Sequence, residues 1–468
     1  MKIEQIYTGC LAQGAYYIES NGEAAIIDPL RETQTYIDKA KANSVKIKYV
    51  FETHFHADFV SGHLDLAKAT GATIVFGPNA KTDYEMYSAA DNEVFTLGNL
   101  KIKVLHTPGH TLESTTYLLI DENGKEHAIF SGDTLFLGDV GRPDLAIKSD
   151  LTKEDLAGML YDSLRTKIMP LADDIIVYPA HGAGSACGKN LSKETVGVLG
   201  EQKQTNYALR ADMTKEEFVK EVLDGIAPPP QYFAKNALLN KVGYTSFETV
   251  LEKGNIPLSP ERLEALANEE DTLVLDVRNR EDFTTEHIPN SIFIGLDGSF
   301  APWVGALIKD LQQPIVLIVP EGKSGEAITR LSRVGFDNTL GYLEGGIEAW
   351  KASGRETASI ESIPADEFEK RLLENKLNVL DVRKDGEYKA KHIEGAQHFA
   401  IDYINNNMSE IDSTTEYHIH CAGGYRSVIA ASILKARGFH KVIDVAGGFA
   451  AIEKTNIPLT EFVCPSTL

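Results

Sequence analysis

The stretch THFHADFVSGH, residues 53–63, carries His54, His56 and Asp58 at alternate positions directly after the apolar run KIKYVF. Two imidazoles and a carboxylate at such spacing read as metal ligands. A rigid strand end lets side chains from distant loops converge on one ion. The position after Asp58 breaks the pattern, because Phe59 has no donor atom. His63 follows at the expected start of a helix, GHLDLAKAT.

Three further segments follow apolar strands in the same way. VLHTPGHT brings His110, FSGDTL brings Asp133 and YPAHGAG brings His181. A lone histidine is more often structural than a ligand, but four such segments in one order point to a metal. Around them the first 230 or so residues alternate short strands and hairpins with helices. In one helix, LTKEDLAGMLYDSLRTKI, Thr152 and Asp155 have the spacing of a capping box. The breakers APPP (227–230) and KGNIP (253–257) place a boundary near residue 250.

Beyond it the chain repeats itself. VLDVRNREDFTTEHIPNSIFI (274–294) and VLDVRKDGEYKAKHIEGAQHFA (379–400) are offset by 105 residues at both Asp276/Asp381 and His287/His392. That period exceeds the roughly 20–50 residues of solenoid repeats and marks duplicated domains. Each copy alternates strand and helix, as a parallel α/β sheet requires. The expected division is 1–250, 251–356 and 357–468.

Composition sets outer limits. A chain of 468 residues accommodates several domains. Its net charge of −22 argues against nucleic acid, whose phosphates need a basic face. No apolar run is long enough to span a bilayer, so no membrane partner is expected. No signal peptide is visible, and four cysteines, at 10, 187, 421 and 464, are too few for a disulfide framework. A cytoplasmic location is the expectation, and the paired α/β domains suggest a homo-oligomer. Cys10 reads as a packing residue, and Cys464 lies in the polar tail EFVCPSTL, which is not a prenylation box.

The order His-x-His-x-Asp, GHT, strand-end Gly-Asp and strand-end His resembles the metallo-β-lactamase superfamily over the first 230 residues or so. The resemblance implies an αβ/βα sandwich with metal at its edge. Relatives of the glyoxalase II type hold two metals, the second needing a histidine where this chain has Phe59. THFHADF, HTPGHT, SGDTLF, GDVGRPDL and YPAHGAGSACGK are more similar to the persulfide dioxygenases of the superfamily. That likeness implies one Fe(II) per chain on His54, His110 and Asp133, with His56, Asp58 and His181 as supporting neighbours. Two histidines and a carboxylate leave open positions where a thiol persulfide and dioxygen meet. It further implies that Arg142 supports binding of the thiol substrate; a surface salt bridge or a loop anchor is the alternative. Cys187, close after His181, is either a substrate or redox residue or an inert buried thiol.

In the second copy of the repeat, YHIH runs into Cys421-Ala-Gly423-Gly424-Tyr-Arg426, followed by a good helix. Backbone N–H groups and a helix N-terminus there would cradle a thiolate, a persulfide or an anion. Arg426 offers a positive fork for an oxyanion. Four residues between Cys and Arg, one fewer than in tyrosine-phosphatase-like loops, resemble the rhodanese sulfurtransferases. The first copy has Pro320 and Gly325 at those places, so it is a catalytically blank rhodanese-like domain, a spacer or a docking surface. Together these features imply oxidation of a low-molecular-weight thiol persulfide to sulfite. Sulfur transfer at Cys421, making or using thiosulfate, would be coupled to it in sulfide detoxification. Glutathione, coenzyme A or another thiol could be the carrier, and sulfur could flow either way. The alternatives are a dinuclear zinc thioester hydrolase of the glyoxalase II type and a sulfur-carrier protein with a vestigial metal site.

Overall fold

The computed structural model describes residues 1–146, 151–269 and 271–464; the last four residues of the polar tail thus lie outside it. It divides into two compact units, Met1–Thr249 with Leu331–Gly335, and Val250–Arg330 with Phe336–Leu468.

The first unit holds two six-stranded sheets. One runs in the order β1 (Lys2–Thr8), β2 (Gln13–Ser20), β3 (Glu23–Ile27), β4 (Lys46–Phe51), β5 (Thr73–Phe76) and β6 (Tyr87–Ser88). The other comprises β7 (Val94–Leu97), β8 (Leu100–His106), β9 (Thr115–Ile120), β10 (Glu126–Gly132), β11 (Ile176–Pro179) and β12 (Gly197–Val198), in the order β12-β11-β10-β9-β8-β7.

Strand periodicity explains the layering. Alternate residues of a strand face opposite sides of the sheet. Tyr16 and Ile18 of β2 join Ala128 and Phe130 of β10 in the core between the sheets. Their neighbours Ala15 and Tyr17 pack outward with Tyr36, Ala40 and Leu66, carried by helices Gln34–Ala42 and His63–Thr70. On the other outer face Ile129 and Val177 meet Ala157, Leu160, Phe218 and Val222. Strands buried on both faces therefore read as nearly continuous apolar runs. The expected αβ/βα sandwich is the observed fold. Each fully buried Phe, Ile or Leu in these layers contributes about 1.5–3 kcal/mol.

The helix expected after residue 151 spans Lys153–Ser163, and Thr152 and Asp155 form a reciprocal capping box. Its π-helical continuation, Leu164–Ile168, was not legible in the sequence. Parallel pairing of β3 with β4 and of β10 with β11 brings the strand-end segments of each pair to the same edge. That edge carries Asp28, Thr53, Asp133 and His181.

The second unit contains two parallel five-stranded sheets of the same topology. β13 (Pro257–Leu258), β14 (Leu273–Asp276), β15 (Ile292–Phe293), β16 (Ile315–Ile318) and β17 (Thr339–Leu343) lie in the order β13-β17-β16-β14-β15. β18 (Glu361–Ile363), β19 (Asn378–Asp381), β20 (Gln397–His398), β21 (Tyr417–His420) and β22 (Val442–Val445) lie as β18-β22-β21-β19-β20.

The shared Asp-Val-Arg motif is a structural latch in both copies. Arg278 donates from Nη2 to Asp276 Oδ2 at 2.7 Å and to the Glu286 carbonyl at 2.7 Å. Arg383 repeats this with Asp381 at 2.5 Å and the Lys391 carbonyl at 2.8 Å. Each buried guanidinium thus ties a strand end to the far end of the following helix. Among the described residues, no helix is long and apolar enough to cross a membrane.

Candidate functional site

His54, His110 and Asp133 converge at the sheet edge of the first unit, all buried, with donor atoms within 4.8 Å of one another. Asp133 Oδ2 lies 3.4 Å from His110 Nε2 and 3.9 Å from His54 Nε2. Neither Nε2 has a hydrogen-bond partner, nor does either Asp133 oxygen. Orphaned buried polar atoms are costly unless something binds them. These four atoms fit a cation.

The other ring nitrogens are engaged, which orients the free ones. His110 Nδ1 lies 2.9 Å from the Arg142 carbonyl, and His54 Nδ1 lies 2.9 Å from Thr53 Oγ1. The Thr53 hydroxyl in turn donates to Asp28 Oδ2 at 2.8 Å. Such outer contacts fix the tautomer and aim Nε2 at an ion. Burial, reinforced by His56, His110 and His181, holds the His54 imidazole well below its ordinary pKa. It is therefore a neutral donor.

His56 belongs to a different cluster. Its Nε2 is 3.0 Å from Asp28 Oδ1 and 3.5 Å from Glu52 Oε2. Burial disfavours a charge on His56, but Asp28, Glu52 and Asp58 outweigh it and hold the pKa up at about 9. Burial and then Asp28 push Glu52 well above the carboxylate range. A protonated Glu52 beside a protonated His56 keeps the negative charge of this buried cluster low. Asp28 and Glu52 were not singled out from the sequence, although both end apolar strand runs, IIDP and VFETH. His63 faces Glu52, 3.7 Å away, and burial lowers its pKa to about 3.

Asp58 and His181 stand on the remaining side, with His181 Nε2 3.4 Å from Asp58 and 3.6 Å from Asp133. Cys187 completes a second group of three donors with them, again within 4.8 Å of one another. Burial, then Asp58 and Asp133, push its thiol well up. The sequence left Cys187 open, and the fold brings it to the Asp58 and His181 donors.

Arg142 is not a free cation. Its guanidinium is bidentate on Asp144, at 2.6 and 2.8 Å, and donates to the carbonyls of Ala186 and Ala227. Through these bonds it anchors three loops, and its own carbonyl receives His110. Beside it opens a pocket of about 870 Å³ lined by Phe55, Ala57, Thr111, Asp144, Phe233 and Ala237, among others. Several of these residues are chain neighbours of the metal-facing ones. Phe233 and Ala237, from the helix after APPP, carried no sequence signal.

In the second unit, Cys421 follows β21 and is buried. The Gly424 N–H donates to its Sγ at 3.1 Å, with Gly424 in the left-handed region at φ 98°. The Cys421 and Ala422 carbonyls accept from Phe449 and Ala450, at 2.6 and 3.0 Å. A Cβ on Gly448 would stand 2.4 Å from the Cys421 carbonyl oxygen, so only glycine fits there. Gly423 has open space around it. Arg426, expected as an oxyanion fork, is bidentate on Glu387 at 2.7 and 2.8 Å. In the blank copy Pro320 precedes the turn before helix Ser324–Arg333, and Gly325 lies in the first turn of that helix.

Comparisons with known proteins agree with this architecture. The model of the metallo-beta-lactamase superfamily matches residues 8–181, and that of the rhodanese-like domain matches 259–353 and 364–455. A cytoplasmic hydroxyacylglutathione hydrolase of Arabidopsis thaliana is 31% identical over 186 residues, 39% of this chain and 67% of the relative. One from Dictyostelium discoideum is 32% identical over 166 residues, 35% of this chain and 59% of the relative. The chain spans about 59–67% of the length of such curated relatives. A metallo-beta-lactamase crystal structure from Staphylococcus aureus subsp. aureus COL superposes with TM-score 0.65 at 32% identity. That match covers 73% of this chain and 98% of the other. The chain belongs to the metallo-beta-lactamase superfamily and carries two rhodanese-like domains after its N-terminal unit.

Proposed function

We propose that the first unit is a mononuclear Fe(II) persulfide dioxygenase and that Cys421 is the sulfur-carrying cysteine of a rhodanese. The net reactions are RSS⁻ + O₂ + H₂O → RSH + HSO₃⁻, and transfer of sulfane sulfur from a Cys421 persulfide to sulfite, giving thiosulfate and the thiolate. Sulfide detoxification is the purpose such a pair would serve.

One observation carries the reading: two imidazoles and one carboxylate present buried, unpartnered atoms within 4.8 Å of one another, while His56 is committed to Asp28 and position 59 is Phe. Fe(II) on His54, His110 and Asp133 would supply redox chemistry and open positions for substrate and dioxygen. Asp58 and His181, 3.4 Å apart, would orient a water and move its proton. The largely apolar pocket lined by Phe55, Ala57 and Thr111, chain neighbours of His54, Asp58 and His110, suits the body of a low-molecular-weight thiol, since ligand sites run about 300–1,000 Å³. Asp144 and the Arg142 that grips it would shape its wall rather than supply a free charge.

A second reading, a dinuclear thioester hydrolase, draws on the named relatives and on the Asp58, His181 and Cys187 donors. Metal analysis combined with oxygen-electrode turnover on a panel of persulfides separates the two. One iron per chain and persulfide-dependent oxygen uptake fit the dioxygenase. Two zinc per chain, thioester hydrolysis and no oxygen uptake would replace it with the hydrolase.

A further inference from the structure

The blank rhodanese-like copy touches the Cys421 loop at two points. Arg280, at the start of helix Arg280–Thr285, donates from Nη1 to the Gly423 carbonyl. The Tyr425 hydroxyl donates to the Gly295 carbonyl at 2.7 Å, and its ring fills the space above Gly298. A Cβ on Gly298 would stand 2.3 Å from that ring, and one on Gly424 would stand 2.6 Å from Arg280 Nη1. Glycine at both places permits the close approach.

The peptide gripped by Arg280 joins Gly423 to Gly424. In a planar trans peptide C=O and N–H point in opposite directions. The carbonyl is held on the Arg280 side, so the N–H of the same unit is turned toward Cys421 Sγ, the 3.1 Å contact already described. A cation on the carbonyl also polarises the peptide and strengthens its N–H as a donor. Arg426 supplies no comparable grip, because its fork is taken by Glu387. Glu281 holds Arg280 Nε at 2.7 Å, which fixes the direction of the guanidinium.

We propose that Arg280 of the blank copy is a positioning residue for the Cys421 site. It sets the Gly423–Gly424 peptide so that the Gly424 N–H stabilises negative charge on Cys421 sulfur. The blank copy thereby completes the sulfurtransferase loop. The inference rests on the sulfurtransferase reading for its consequence in sulfur transfer, but not for its effect on thiol reactivity.

The test uses the full-length chain. Alkylation of Cys421 by iodoacetamide at neutral pH, followed by peptide mass, measures thiolate reactivity whether or not the protein transfers sulfur. Sulfur loading from thiosulfate, followed by intact mass, measures the activity. Arg280→Ala should slow both about tenfold, the weight of one hydrogen bond to a charged group. Arg280→Lys, which keeps a cationic donor, should restore most of the rate. Thermal melting and persulfide-dependent oxygen uptake should stay as in the unchanged protein. If Arg280→Ala fails to fold, the Lys variant and Arg280→Gln carry the comparison, with Gln the slower of the two. Equal alkylation rates for the unchanged, Ala and Gln proteins would overturn the proposal. Normal alkylation with no sulfur loading in the unchanged protein would instead count against the sulfurtransferase reading alone.

Discussion

The Phe59 ring lies 4.3 Å from the His56 ring, centroid to centroid, with the planes tilted by 32°. Phe59 is fully buried, and its carbonyl accepts from Asn240 Nδ2 at 2.8 Å. Phe59 is thus an apolar prop for His56. Phe59→His should raise the metal content of the purified chain toward two per chain, read by elemental analysis. An unchanged content would show that position 59 does not limit the second metal.

His110 and Cys421 serve different reactions in this account. His110→Ala should abolish persulfide-dependent oxygen uptake while leaving thiosulfate:cyanide sulfur transfer intact. Cys421→Ser should do the reverse, with sulfite accumulating in place of thiosulfate. Equal loss of both activities in either folded variant would contradict separate sites.

Thr53 links His54 to Asp28 through its hydroxyl, as donor to one and neighbour of the other. Thr53→Val keeps the shape and removes the link. Outer partners of metal ligands typically contribute about 10–100-fold in affinity. Chelator competition should show Fe(II) held that much more weakly; unchanged affinity would mean the link is structural only.

The pocket wall gives a test of substrate placement. Ala237→Trp would fill part of the pocket that Ala237 lines with Phe55, Ala57 and Thr111. The expected result is a raised KM for persulfide with little change in kcat, the pattern of lost binding common to ground and transition states. A fall in kcat alone would place the substrate elsewhere.

His287, the repeated histidine of the blank copy, stacks on Phe283 and donates from Nδ1 to its carbonyl at 2.8 Å. Burial lowers its pKa to about 4, against a partial offset from that carbonyl. The unfolded chain, with an ordinary value of 6.5, therefore binds the proton first. The neutral folded state keeps its full advantage above about pH 6.5 and loses it as pH falls toward 4. The loss is on the order of 3 kcal/mol. Denaturant unfolding of the full chain should show this decline, and His287→Gln should flatten it. An identical pH slope in the variant would assign the acid sensitivity to other groups.

Much of the layout was legible because it rests on periodicity and strand-end chemistry. Apolar runs such as those of β4 and β10 made the strands readable, and the 105-residue offset exposed the duplicated domains. The grouping of His54, His110 and Asp133 came from resemblance, and the geometry now gives it free donor atoms. What stayed hidden depends on tertiary contacts that no local pattern encodes. Asp28 and Glu52 matter only because parallel pairing sets their strand ends beside His56. Arg426 reads as an open fork and Arg142 as a substrate residue or a loop anchor, and only the fold shows Glu387 and Asp144 engaging them. The meeting of Arg280 with Gly423 requires two domains folded together, which a sequence scan cannot supply.

The central claim is an oxygen-consuming iron site on His54, His110 and Asp133. Full-length protein loaded in turn with Fe(II) and with Zn(II) should be followed in an oxygen electrode with one thiol persulfide. The account predicts one dioxygen consumed and one sulfite formed per persulfide with Fe(II), and neither with Zn(II) or in His110→Ala. Thioester hydrolysis by the Zn(II) form, with no oxygen uptake by the Fe(II) form on any persulfide, would contradict it.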